Sequence, residues 1–132
     1  ARHSAVGTAC EIYNVEVLQR VLSYVGDAKH SEYMTWYMQN NPDLFKVELV
    51  NLPDKLVRDY RLTLDYPEDL ELFNELFKEL RKREQGPTLE NIFDILDSRP
   101  DIAKINSHLT LMYKTDQGLI DKLNKETRIL LP

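Results

Sequence analysis

Apolar residues fall into separate periodic runs along this chain, and each run is bounded by residues that start or stop an element. Asn14 precedes Leu18, Val21, Leu22 and Val25, which form one face of a helix ending near Gly26. Ser31 is placed to cap a second helix through Tyr33, Met34, Tyr37 and Met38, stopped before Asn41-Pro42. Leu70, Phe73, Leu76, Phe77 and Leu80 mark the longest helix, from Pro67 to about Glu84. Gln85-Gly86-Pro87 breaks the pattern. Thr88 then caps a helix carrying Leu89, Ile92, Phe93 and Leu96, which Arg99-Pro100 ends. Asp116 starts a last helix through Leu119, Ile120 and Leu123, and residues 123–132 are expected to fray. The period changes to two in Phe45–Val50 and in Arg61–Leu64, and Glu11–Tyr13 reads as a third short strand.

Three short strands among about five helices predict an α/β domain, with a small mixed sheet flanked by the helices. Its 132 residues are expected to form one domain over 1–132. In this reading Arg61–Leu64 ends on Asp65 and turns at once into a helix. Pro67 sits in the first turn, and Glu68 and Asp69 favour the positive helix end. Asp65 would thus stand at the carboxyl end of a strand, the edge where open α/β sheets hold ligands. Read from the residues alone, it is a helix cap before it is a ligand, with Glu68 as its reciprocal partner.

Composition narrows the function. Hydrophobic residues are 42% and charged residues 30% of the chain, as in a soluble globular protein. The formal net charge of -5 argues against nucleic acid, which requires a positive footprint. The basic run Arg81-Lys82-Arg83 closes the long helix, where it complements the dipole. Cys10 is the single cysteine, so there is neither a disulfide framework nor a thiolate metal cluster, and it is expected to be a small buried hydrophobe. His3, His30 and His108 lack ligand spacing. No apolar run approaches the roughly 18–20 residues of a membrane helix. A cytoplasmic protein is the expectation.

Four segments in register resemble one family. Leu62-Thr63-Leu64-Asp65-Tyr66-Pro67-Glu68-Asp69-Leu70-Glu71-Leu72 looks like the late motif of the sugar cytidylyltransferases, nearest the spore coat polysaccharide and acylneuraminate type. Gly7-Thr8-Ala9-Cys10-Glu11-Ile12-Tyr13 is similar to its G-T-x-x-E-V-F strand. Ser31-Glu32-Tyr33-Met34-Thr35-Trp36-Tyr37-Met38, followed by Asn41-Pro42-Asp43-Leu44-Phe45, resembles its R-E-H-V-T-P-Y-I and N-P-x-x-F. Thr88–Ile92, Pro100-Asp101-Ile102 and Ile105-Asn106-Ser107 resemble its closing helix and I-N-S. The resemblance runs from about Val6 to about Lys122. The family's opening glycine-containing nucleotide loop and its G-D-x-P-L segment have no counterpart. The chain, opening Ala1-Arg2-His3-Ser4, is therefore expected to correspond to a carboxyl-terminal half.

The resemblance implies a partial Rossmann-like nucleotide-diphospho-sugar transferase fold. It implies a half-enzyme that contacts the sugar and forms a dimer or joins a missing amino-terminal half. The complete enzyme would use CTP and Mg2+, and this chain alone is expected to be inactive. Asp65 corresponds to the family's second metal acid. Glu32, Tyr33 and Thr35 would contact the sugar, as carboxylates and hydroxyls suit sugar hydroxyls. Tyr33 replaces the family's histidine, so it cannot take up a proton near neutral pH, and Trp36 replaces the following proline. The same helix start also reads as plain core packing. Arg58 and Arg61 could fork onto a carboxylate or phosphate of the substrate, or pair with Asp59 or Glu68 on the surface. Two other functions stay open: a non-catalytic binding or assembly domain, and an unrelated α+β interaction module.

Overall fold

The computed structural model describes residues 4–109 and 112–131. In chain order its helices are α1 (Val15–Val25), α2 (Thr35–Gln39), α3 (Pro67–Lys82), α4 (Leu89–Ser98), α5 (Pro100–Ala103), α6 (Met112–Thr115) and α7 (Gln117–Glu126). Single 3-10 turns occupy Ser31–Tyr33 and Asp54–Leu56. The chain divides into two compact units. The first is Ala1–Cys10 with Asn51–Leu109, and the second is Glu11–Val50 with Thr110–Pro132. Each unit has its own apolar core.

The described residues do not form the expected sheet. Among the described residues, the only pairings are two isolated bridges, Ser4 with Val57 and Val6 with Arg61. The Rossmann-like α/β reading is therefore corrected to a helical architecture. The reason is local. Val6 N–H donates to Tyr60 O at 2.8 Å and Leu62 N–H to Val6 O at 2.7 Å, which begins a parallel ladder. Gly7, at φ +87°, then turns the chain away, and Thr8 donates back to Ala5 O through its amide at 3.1 Å and its hydroxyl at 2.7 Å. A Cβ on Gly7 would lie 2.0 Å from Leu62 O, so the close approach itself needs glycine. Glu11–Tyr13 and Phe45–Val50 form no strand either; Ile12, Leu49 and Val50 are each more than nine-tenths exposed. Alternation predicts a face to bury, but a strand also needs a neighbour to receive its hydrogen bonds.

The first unit is built on α3. Its sequence stripe is shifted: Leu72, Leu76 and Leu80 are buried, while Leu70 and Phe77 are exposed and Phe73 packs at the margin. They meet Ala5, Leu62, Phe93, Ile95, Leu96 and Ile102. Each buried leucine contributes roughly 1.5–3 kcal/mol. Asp69 lies on the same helical face, three residues before Leu72, and it too is buried.

In the second unit Asn14 caps α1, accepting from Glu16 N–H at 3.0 Å. Val21, Tyr37, Met38 and Phe45 form the core. Ser31 is not a cap: the 3-10 turn starts after His30 and has no side-chain cap. Asn41 organises this unit. Its amide donates to Tyr37 O at 2.6 Å and Thr127 O at 2.8 Å, and its carbonyl accepts from Ile129 N–H at 2.8 Å. Residues 123–132 were expected to fray; α7 continues to Glu126, and Leu123 and Thr127 are fully buried. Cys10, expected to be buried, is exposed. His3 lies outside the described residues.

Candidate functional site

The most developed polar constellation surrounds Asp69 in the first unit. Its carboxylate is fully buried and accepts from every side. Arg61 donates through Nε to Oδ1 at 2.8 Å and through Nη2 to Oδ2 at 2.9 Å. Asn106 Nδ2 donates to Oδ1 at 2.7 Å. The backbone N–H groups of Asp65 and Tyr66 donate to Oδ2 at 2.9 and 3.1 Å. The last contact is the reach-back half of a capping box, with Asp69 in the third helical position after Tyr66. Burial alone would push the Asp69 carboxyl up. The Arg61 fork, the two backbone donors and Asn106 outweigh it and hold the carboxyl well below the usual range.

Arg61 is buried with it, and Asp69 in turn raises the guanidinium's pKa. Asn106 also donates to Arg61 O at 3.0 Å, tying the I-N-S segment to the chain before the turn. The network is not fully satisfied: Arg61 Nη1 and Asn106 Oδ1 are buried without a hydrogen-bond partner among the described residues. A buried ion pair with orphaned atoms is a costly way to stabilise a fold. Its structural result is to fix the segment that carries Asp65.

Asp65 is the exposed end of this constellation, with 54% of its side chain open. Arg61 Nη2 reaches Asp65 Oδ2 at 2.7 Å, and Thr63 Oγ1 donates to the same oxygen at 3.2 Å. Asp65 is not the helix cap, and Glu68 is not its partner; the cap position is Tyr66 and the reciprocal acid is Asp69. Nor does Arg61 pair with Asp59 or Glu68. Arg58 forks onto Asp97, with Nε 3.1 Å from each carboxylate oxygen and Nη2 2.9 Å from Oδ2. Tyr60 donates to Asp97 Oδ1 at 2.6 Å, and burial followed by this carboxylate pushes its phenol up to about 12.

Magnesium is commonly held by one or two carboxylates, with water and substrate phosphate completing its shell. Asp65, open on one side and held by Arg61 on the other, fits the part of one such carboxylate. The described residues contain no group of three or more His, Cys, Asp or Glu able to form a self-contained metal centre.

The other expected site residues belong to the second unit. Glu32 is exposed and Tyr33 half-buried, both in the 3-10 turn, and Thr35 opens α2. Thr35 Oγ1 lies 2.7 Å from Tyr13 Oη, and Tyr13 donates to the Glu11 carboxylate. The structure thus joins two segments that the sequence showed only separately. The sequence reads Asp69 only as an acid at the positive helix end and Asn106 only as part of a motif, with no site role for either. The signal for Asp69 was its place on the Leu72-Leu76-Leu80 face, an acid in register with a core stripe.

No protein-family model matches the chain, and no solved structure matches it. An uncharacterized protein of Methanocaldococcus jannaschii is 31% identical over 105 residues, which are 79% of this chain and 42% of that protein. The spore coat polysaccharide biosynthesis protein SpsF of Bacillus subtilis is 26% identical over 103 residues, 76% of this chain and 42% of its own. The chain therefore spans about two fifths of the length of these curated relatives. It is distantly similar to a protein of polysaccharide biosynthesis. Among the described residues, no helix is long and apolar enough to cross a membrane.

Proposed function

We propose that this chain forms part of a cytidylyltransferase that activates a sugar for surface polysaccharide synthesis. The observation that carries the reading is the distant likeness to SpsF over three-quarters of the chain, 76%. The exposed Asp65 on its buried anchor supports it. In the complete enzyme a sugar hydroxyl or carboxylate oxygen attacks the α-phosphorus of CTP. The new O–P bond forms as the bond to the β-phosphate bridging oxygen breaks, and pyrophosphate leaves. A hydroxyl nucleophile gives up its proton. A bound Mg2+ would supply charge stabilisation at the triphosphate oxygens.

This chain's part is positioning. Asp65 offers one carboxylate, and Asp69 and Arg61 fix where it stands. Glu32, Tyr33 and Thr35 contribute contacts to the sugar. Positioning supplies a large share of such catalysis.

The test joins this chain to the amino-terminal segment of the Bacillus subtilis relative and assays pyrophosphate release from CTP, magnesium and a panel of sugars. The expected result is turnover by the joined protein, none by the chain alone, and loss of turnover in Asp65→Asn with an unchanged melting temperature. Full turnover by the isolated chain, or by Asp65→Asn, would overturn the assignment. The second reading is a non-catalytic binding domain derived from the same family. Sugar binding without turnover in the joined protein would support it.

A further inference from the structure

We propose that Glu11, Tyr13 and Thr35 form a directed hydrogen-bond relay that makes Thr35 an acceptor for a free hydroxyl of the bound sugar. The inference rests on the sugar-binding reading above and adds the chemistry that would select the ligand.

Direction follows from proton counting. An ionised carboxylate only accepts hydrogen bonds. Tyr13 therefore spends its one O–H on Glu11. The Tyr13 oxygen still has lone pairs, and Thr35 Oγ1 is 2.7 Å away. With the phenolic proton committed, Thr35 is the donor in that contact. Its single proton is then spent too, and only lone pairs remain on Oγ1. Thr35 is half-buried at the start of α2, and its contact with Tyr13 is only partly buried. Such an oxygen recognises a group that brings its own proton, a hydroxyl or an N–H. It gives nothing to an ether, a phosphate or a carboxylate.

The relay is held in place. Tyr13 packs at the edge of the second core, against the group formed by Val21, Tyr37, Met38 and Phe45. Burial, followed by the Glu11 contact, raises the Tyr13 phenol above its ordinary value, so the proton that sets the direction stays on at neutral pH. A contact that only fastened residues 11–13 to α2 would need no direction. Donor preference is therefore the property that separates recognition from packing.

The experiment uses the isotope-labelled chain, with amide shifts read by NMR. The probes are free hexoses and sugar acids, each beside its O-methylated counterpart. The expected result is shifts at Tyr13 and Thr35, with a free-hydroxyl sugar bound roughly tenfold or more tighter than its ether, as expected where a site accepts a substrate hydroxyl. Thr35→Val abolishes the preference and Thr35→Ser keeps it. In Tyr13→Phe the ratio falls toward one, because the freed Thr35 hydroxyl can now donate to an ether. Glu11→Ala gives the same fall by a route that leaves the ring in place, should Tyr13→Phe disturb folding: with no carboxylate to receive it, the Tyr13 proton can turn to Thr35 and release the threonine proton. An unchanged preference in Thr35→Val and Tyr13→Phe refutes the relay. Sugars that shift only amides elsewhere refute it and leave sugar binding standing. If no sugar shifts any amide, both the relay and the sugar contacts fall, while the pyrophosphate assay still judges Asp65.

Discussion

Replacing Asp69 by alanine is the sharpest probe of how this chain holds its candidate site. The substitution takes the buried two-point carboxylate from Arg61, whose side chain is 6% exposed, and leaves it only the single contact to the half-open Asp65. It also strips acceptors from the N–H groups of Asp65 and Tyr66 and from Asn106 Nδ2. Removing one partner of a buried pair costs about 3–5 kcal/mol, because the remaining charge stays buried. A domain of this size is stable by roughly 5–15 kcal/mol, so the loss is a large fraction of the total. At about 2–8 °C per kcal/mol, the melting temperature should fall by on the order of 10 °C or more. Asp65→Ala is the control. Its side chain is 54% exposed and its loss leaves Arg61 the two-point contact with Asp69, so the cost should stay near the about 0–1 kcal/mol of a solvent-facing pair. Replacing the pair together, as Arg61→Met with Asp69→Leu, should recover the part of the loss due to the unpaired charge, while the donors of Asp65, Tyr66 and Asn106 stay without their acceptor. Urea denaturation followed by far-ultraviolet circular dichroism measures all four proteins. The pH dependence has a definite sign. The folded state binds the Asp69 proton less readily than the unfolded state does. The stabilisation is therefore complete above the unfolded carboxylate value of about 4 and is lost as pH falls below it toward the depressed folded value. A cost under about 1 kcal/mol for Asp69→Ala, or equal costs for Asp69→Ala and Asp65→Ala, refutes the reasoning, because the first approaches a simple cap.

Gly7→Ala should destabilise the first unit by more than about 1–3 kcal/mol, since φ is +87° and the added Cβ would meet Leu62 O at 2.0 Å; thermal melting checks it. Asn41→Ala should cost the second unit about 1–3 kcal/mol or more, because it orphans Ile129 N–H together with the Tyr37 and Thr127 carbonyls, and hydrogen exchange at Ile129 should quicken. Tyr60 should ionise near pH 12 in an ultraviolet titration, and Asp97→Asn should bring it down toward the ordinary value of about 10. The linked stability is present below that ordinary value and disappears as pH rises through the folded one.

Local signals were legible where one short segment contains both the cause and the effect. Asn14, Thr88 and Asp116 cap their helices with their own side chains, as the sequence predicts. Pro67 starts α3, and the Gln85-Gly86-Pro87 break separates it from α4. Those features depend on contacts a few residues apart. The sheet was misread because strand pairing depends on distant backbone. Phe45–Val50 alternates, yet it forms no strand without a partner edge. The stripe on α3 was read from hydrophobicity alone, which cannot rank Leu70 and Phe77 against Leu72. Tertiary packing chose Leu72, because the face it shares with Asp69 also meets Arg61 and Asn106.

The same division runs through the site. The sequence by itself determined which residues carry charge at the helix start, and that Asp65 precedes Pro67 in a segment that resembles a sugar cytidylyltransferase motif. Only the tertiary structure decided that Asp69, not Asp65, takes the buried position. Arg61 and Asn106 lie eight and 37 residues away along the chain, and no local pattern measures the positive charge of the one and the amide donor of the other that converge on one oxygen pair. Burial strengthens those contacts and makes their loss costly, so the fold assigns the two aspartates different work: one anchors and the other faces solvent.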